Sequence, residues 1–186
     1  LRKTIIEGRR RLPLASLASL ILAAAFLLGP ALLSCDPADD ETRREKGEEM
    51  YEGYKKQSFP GVVDVEPRLA MDLARRPAVL FVDVRPPEER DVSMIPGAVA
   101  EETFLNNLEQ YKDHIIIGYC TISYRSGKLA QELMARKGIT MYNLRGGLLA
   151  WVHDGGKVVD GKGETKRIHV YGRKWNLAPS AYEAIW

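Results

Sequence analysis

Ile115-Ile116-Ile117-Gly118-Tyr119-Cys120-Thr121-Ile122-Ser123-Tyr124-Arg125-Ser126-Gly127 runs an apolar stretch straight into a thiol, a short polar loop and an arginine. The first five residues read as a buried strand, because large apolar side chains follow one another without a charge. Leu129, Ala130, Leu133 and Met134 then recur at helical spacing ahead of Gly138, a natural helix stop. Cys120 therefore falls in a strand-to-helix turn.

Cysteine attacks as the thiolate, and a thiol with an ordinary pKa of about 8.5 is only about 3% ionised at pH 7. Unpaired N–H groups at a helix start and the guanidinium of Arg125 would both favour a negative sulfur or a bound oxyanion. This is the layout of a cysteine nucleophile in an anion-binding loop. The competing reading is an inert strand-end cysteine, since a free cysteine packs as a small hydrophobe. Context favours the nucleophile: a strand before, a helix after and serine at the helix start.

Working outward, three further segments fall around this loop in a recognisable order. Val79-Leu80-Phe81-Val82-Asp83-Val84-Arg85 ends in D-x-R and is followed by Glu88 and Glu89; Ile95-Pro96-Gly97-Ala98 makes a turn; Asn143-Leu144-Arg145-Gly146-Gly147-Leu148-Leu149-Ala150-Trp151 carries L-x-G-G-x-x-x-W. With Tyr119 to Gly127 they resemble the rhodanese-like family of sulfurtransferases, over roughly residues 60 to 155. The resemblance implies an α/β fold with a central parallel sheet flanked by helices on both faces. Alternating strands and helices point the same way, and such sheets place ligands at the carboxyl ends of their strands.

By the same resemblance, Cys120 and Arg125 are the catalytic pair, and Thr121, Ile122, Ser123, Tyr124 and Ser126 form the substrate-binding loop. Cys120 would take a sulfane sulfur from a donor such as thiosulfate, hold it as a persulfide and yield it to cyanide or another thiol. Four residues separate Cys120 from Arg125, as in single-sulfur carriers, whereas the related dual-specificity phosphatases have five. Two positions depart from the pattern. Ser123 replaces the usual glycine two places before the arginine, and Ser93-Met94-Ile95 replaces G-H-I before Pro96. A serine enters the left-handed region only at a cost, so a cradle of altered backbone shape is expected. Arg85 is read as a structural ion pair with a nearby carboxylate. Two other functions remain open: a non-catalytic persulfide-sensing or protein-binding module, and a thiol-based anion reductase or phosphatase. The second is disfavoured by the loop length and by the lack of a resolving cysteine.

The N-terminus addresses where this chemistry happens. Arg2, Lys3, Arg9, Arg10 and Arg11 form a basic start, and Leu12 to Leu33 contains no charge, which is long enough to span a bilayer. Leu32-Leu33-Ser34-Cys35 resembles a bacterial lipobox, which implies lipidation of Cys35. The expected organisation is a lipoprotein-type signal peptide over residues 1–34, a charged flexible tether over 35–49, a rhodanese-like domain over 50–158, and a C-terminal extension over 159–186 that packs on the domain. A retained anchor is the alternative for the first segment. In both, the basic end stays cytoplasmic and the domain is exported, to the outer face of the inner membrane or the periplasm.

Composition narrows the partners. The formal charge of +2 belongs to the leader, for residues 35–186 hold 22 basic against 24 acidic side chains. No basic patch argues for nucleic acid. The expected partners are a small sulfur-containing anion, a thiol or cyanide acceptor, and the membrane through its N-terminal lipid. With Cys35 lipidated, Cys120 has no disulfide partner. His114, His153 and His169 lack neighbours at ligand spacing, and no glycine-rich phosphate loop opens a helix, so neither metal nor cofactor is expected.

Overall fold

Alternation along two apolar strands builds the interior. β2 (Val79–Asp83) and β4 (Ile115–Tyr119) pair in parallel, Val79 opposite Ile115 through Asp83 opposite Tyr119. Successive strand side chains point to opposite faces. Phe81, Ile117 and Tyr119 accordingly enter one core cluster, while Leu80, Val82, Ile116 and Cys120 enter the other. A sheet buried on both faces needs such nearly continuous apolar strands.

The structure, a computed structural model, describes residues 37–186; the expected leader and Cys35 lie outside them. In chain order the main elements are α1 (Pro37–Ser58), β1 (Asp64–Val65), α2 (Pro67–Leu73), β2, α3 (Pro87–Arg90), β3 (Val99–Ala100), α4 (Glu101–Asn106), β4, α5 (Tyr124–Lys137), β5 (Tyr142–Leu144) and α6 (Gly147–His153). The five strands form one parallel sheet in the order β1-β5-β4-β2-β3. Phe104 of α4 and Ala130 and Leu133 of α5 cover one face; Leu148, Leu149, Trp151 and Val152 of α6 cover the other. The chain is an α/β protein with a central parallel sheet between helical layers.

Beyond α6 come the antiparallel hairpin of β6 (Val158–Asp160) and β7 (Gly163–Thr165), then β8 (Arg167–His169), which pairs in parallel with β9 (Glu183–Ile185). Ile168, Val170, Leu177 and Ala178 are buried in the α6-side cluster.

One expectation is corrected. Residues 37–49, read as part of a flexible tether, belong to α1, which runs unbroken to Ser58. The segment holds no large apolar residue, and polar contacts hold it instead. The Asp40 carboxylate accepts hydrogen bonds from the Ser180 N–H (2.6 Å) and hydroxyl (2.9 Å). Arg43 donates to the Ala178 carbonyl at 3.0 Å, and Arg145 pairs with both Glu48 and Glu52. The first turn is acidic and the last basic, which suits the helix dipole. A domain boundary at residue 50 would cut this helix.

Candidate active site

Cys120 lies one residue past β4 and α5 begins at Tyr124, so the loop turns within three residues. It does so through Ser123, at φ 60° and ψ 25°. The cradle expected to change shape keeps a left-handed turn despite serine, because its surroundings fix it. Asn143 donates from Nδ2 to the Ser123 carbonyl at 3.1 Å and to the Tyr51 hydroxyl at 3.0 Å, and its Oδ1 accepts from the Ser126 hydroxyl at 2.6 Å. Tyr51 in turn donates to Asp64 at 2.6 Å. Burial and the Asp64 carboxylate push the Tyr51 phenol well above its ordinary range, so it stays a donor.

From the other side, the start of α6 clamps the loop. The N–H groups of Leu148 and Leu149 donate to the carbonyls of Cys120 (2.9 Å) and Thr121 (3.1 Å). Gly147 makes this approach possible: at φ 65°, a Cβ there would sit 2.4 Å from the Cys120 oxygen and 2.8 Å from the Ser123 nitrogen. With those carbonyls engaged, the N–H groups of residues 122–126 meet no acceptor among the described residues. A helix start with free N–H groups beside a thiol is an anion cradle.

Arg125 is not a free cation. Its guanidinium grips Glu89 of α3 bidentately, Nη1 to Oε1 at 2.7 Å and Nη2 to Oε2 at 2.8 Å. Thr121 donates a further hydrogen bond to Glu89 at 3.1 Å. Glu89 is 2% exposed and the Arg125 side chain 34%. Burial alone would raise the Glu89 carboxyl, yet Arg125 holds it below the usual carboxylate range. Burial likewise opposes the Arg125 charge, but Glu89 and the neighbouring Cys120 raise its pKa. The His169 ring stands 3.8 Å from Glu89.

Of the residues expected at the site, Cys120, Thr121, Ile122, Tyr124 and Arg125 line one pocket of about 330 Å³. Ser123 and Ser126 do not. Both side chains are fully buried among the described residues: Ser126 serves Asn143, and the Ser123 hydroxyl has no partner. They shape the cradle from beneath. Asp83 and Arg85 form a fully buried ion pair at 2.7 Å, with Arg85 also donating to the Ser93 carbonyl. Sequence reading did not find Asn143 as the hub under the loop, Glu89 as the partner of Arg125, or the pocket walls from Tyr54, Val170, Tyr171 and Trp175.

A family model, the rhodanese-like domain, matches residues 66–154. A sulfurtransferase from Allochromatium vinosum is 35% identical over 98 residues, which is 51% of this chain and 92% of that protein. This chain belongs to the rhodanese-like family. It is also 38% identical over 83 residues to the uncharacterized protein YqhL of Bacillus subtilis, covering 42% of this chain and 62% of that one. Among solved structures, a rhodanese-like domain protein from Staphylococcus aureus is 30% identical, with 51% of this chain and 96% of that chain aligned at a TM-score of 0.43. A thiosulfate sulfurtransferase from Pseudomonas aeruginosa is 21% identical, with 54% of this chain and 20% of that chain aligned at a TM-score of 0.49. The match lies within the rhodanese-like part, so α1 up to Ser58 and everything after Asp154 fall outside the family model.

Proposed function

We propose that this chain is a sulfurtransferase that carries sulfane sulfur as a persulfide on Cys120, in an exported protein tethered to the membrane through a lipid on Cys35. The observation that carries the reading is the cradle: a thiol at the carboxyl end of β4, free N–H groups at the start of α5, and two loop carbonyls held by α6. In the first half-reaction the Cys120 thiolate attacks the outer sulfur of a donor. A new S–S bond forms, the donor's bond to that sulfur breaks, and the leaving group departs with the electron pair. In the second, an acceptor thiolate or cyanide attacks the outer sulfur and Cys120 returns to the thiolate. No external oxidant or reductant is needed. The cradle N–H groups stabilise the outer, negative sulfur of the persulfide. Glu89 fixes the Arg125 guanidinium beside the thiol.

The test is thiocyanate formation by the full chain, with Cys120→Ser alongside. Turnover by the wild type and none by the variant supports the reading; equal turnover by both removes it. A second reading, persulfide sensing or protein binding without turnover, is favoured by one observation: the Arg125 charge is already matched by buried Glu89. A stable persulfide that no small acceptor discharges would favour it. Tethering is tested separately: protein from the membrane fraction should begin at Cys35 and carry the added mass of a lipid, whereas Cys35→Ala should keep its leader and carry none.

A further inference from the structure

His169 lies on β8, outside the family-matched residues, and its side chain is 16% exposed. Ile168 and Val170, both fully buried, fix the strand on either side of it. Its Nδ1 accepts a hydrogen bond from the Tyr171 N–H at 3.2 Å, so a neutral ring carries its proton on Nε2. The same Nδ1 stands 3.8 Å from Oε2 of Glu89. That oxygen also accepts from Nη2 of Arg125 at 2.8 Å and from the Thr121 hydroxyl at 3.1 Å. A ring nitrogen that turns a lone pair toward a buried carboxylate gains nothing from it. Carrying a proton, the same nitrogen makes an ion pair.

The charge balance around Glu89 decides what this does to the thiol. Arg125 is the one charged side chain lining the pocket among the described residues, and the buried Glu89 already matches it. With His169 neutral, the Arg125–Glu89 pair carries no net charge, and a doubly charged donor such as thiosulfate finds only the cradle N–H groups. A proton on His169 gives the three side chains a net positive charge beside Cys120, whose own charge acts on Arg125. Arg125 keeps Glu89 ionised, so the carboxylate stays available to both cations. Arg85 also acts on Glu89, but Asp83 neutralises it. On β9 the register puts Ile185, which does not titrate, opposite His169. The groups that meet the charge of the ring are therefore Glu89 of α3 and, through it, Arg125 of α5 and Cys120 of the loop.

We infer that His169 is a positioning residue that sets the charge of the site through Glu89: protonated, it shares the carboxylate and leaves the Arg125 charge to an anionic donor; neutral, it leaves the Arg125–Glu89 pair closed. This deepens the sulfur-transfer reading and rests on it. Histidine is the side chain whose charge ordinarily changes between about pH 5 and pH 8. Per thiolate, loading by a dianion therefore rises as pH falls, whereas the shrinking thiolate fraction alone would slow it.

The full, reduced chain is treated with thiosulfate, a dianion throughout, between about pH 5 and pH 8. Intact mass gives the rate at which Cys120 gains one sulfur, with Cys120→Ser subtracting any reaction at Cys35. At each pH that rate is divided by the rate of Cys120 alkylation by uncharged iodoacetamide, which removes the change in thiolate fraction. The wild-type ratio should rise about tenfold from the alkaline to the acid end, the size expected of one added charge in a half-buried site; tenfold corresponds to ~1.4 kcal/mol. His169→Asn keeps an acceptor for the Tyr171 N–H and cannot titrate, so its ratio should stay flat at the alkaline wild-type value. His169→Lys carries a fixed charge and should stay flat at the acid wild-type value. A merely structural histidine leaves the pH dependence of the ratio the same in both variants as in wild type. A flat wild-type ratio, or a wild-type rise that survives in either variant, overturns the role of His169 and leaves sulfur transfer standing. No sulfur gained at any pH overturns both.

Discussion

Replacing Ser123 by glycine should stabilise the protein, the reverse of what glycine does at an ordinary loop position. Ser123 sits at φ 60° with its hydroxyl buried and unpartnered among the described residues. A left-handed backbone costs a residue with a Cβ about 1–2 kcal/mol. A buried hydroxyl without a partner costs roughly 1–3 kcal/mol more. Against these stand about 0.5–1 kcal/mol of extra chain entropy for glycine and ~0.8 kcal/mol for one lost buried carbon. The balance is a gain of roughly 1–2 kcal/mol, or about 2–8 °C in Tm for a domain of this size. Urea unfolding of the full chain reads it as a higher midpoint at unchanged slope. Ser123→Ala sorts the two contributions, since it removes the hydroxyl and keeps the strain; it should gain about as much as Ser123→Gly, because for glycine the relief of strain is offset by chain entropy and the lost buried carbon. A Ser123→Gly protein less stable than wild type would refute the reasoning, and alanine outperforming glycine by more than about 1 kcal/mol would refute the strain.

Gly147→Ala should have the opposite sign. It combines the same left-handed cost with a Cβ at 2.4 Å from the Cys120 oxygen, and it should lose about 2–4 kcal/mol together with sulfur loading. Gly138→Ala, at the same φ but with nothing within 4 Å, should lose only about 1–2 kcal/mol, and equal losses would show the clamp to be unimportant. Glu89→Gln should cost about 2 kcal/mol at pH 7 by weakening charged hydrogen bonds to Arg125 and Thr121. Because the folded-state pKa of Glu89 is lowered, its contribution is complete above the unfolded value of about 4.3 and is lost as pH falls through the folded one. Tm measured from pH 6 to pH 3 should therefore fall less steeply in Glu89→Gln than in wild type, and parallel curves would contradict the ion pair.

What was legible in the sequence is what short-range pattern encodes. The apolar runs of β2 and β4 specify buried parallel strands, and the abrupt stop at Cys120 puts the thiol at a strand end. Pro67 opens α2 and Gly138 closes α5 where the pattern places them. Arg85 was readable as a structural cation because carboxylates crowd it in sequence, though its partner is Asp83 rather than Glu88 or Glu89. The misses are long-range. Glu89 and Arg125 are 36 positions apart, and no spacing rule joins them. The charged start of α1 looked solvated because its partners, Ala178 and Ser180, lie at the far end of the chain. Ser123 raised a doubt about the cradle that tertiary contacts from Asn143 and Gly147 resolve. The aromatic walls come from three separate segments, and only the fold brings them together.

The central claim is that Cys120 itself carries the sulfur. It is tested most directly by the intact mass of the full reduced chain after thiosulfate, followed by cyanide, for wild type and Cys120→Ser. The account predicts the gain of one sulfur on the wild type, its removal as thiocyanate, and no gain on the variant; an unchanged wild-type mass, or the same gain on Cys120→Ser, would contradict it.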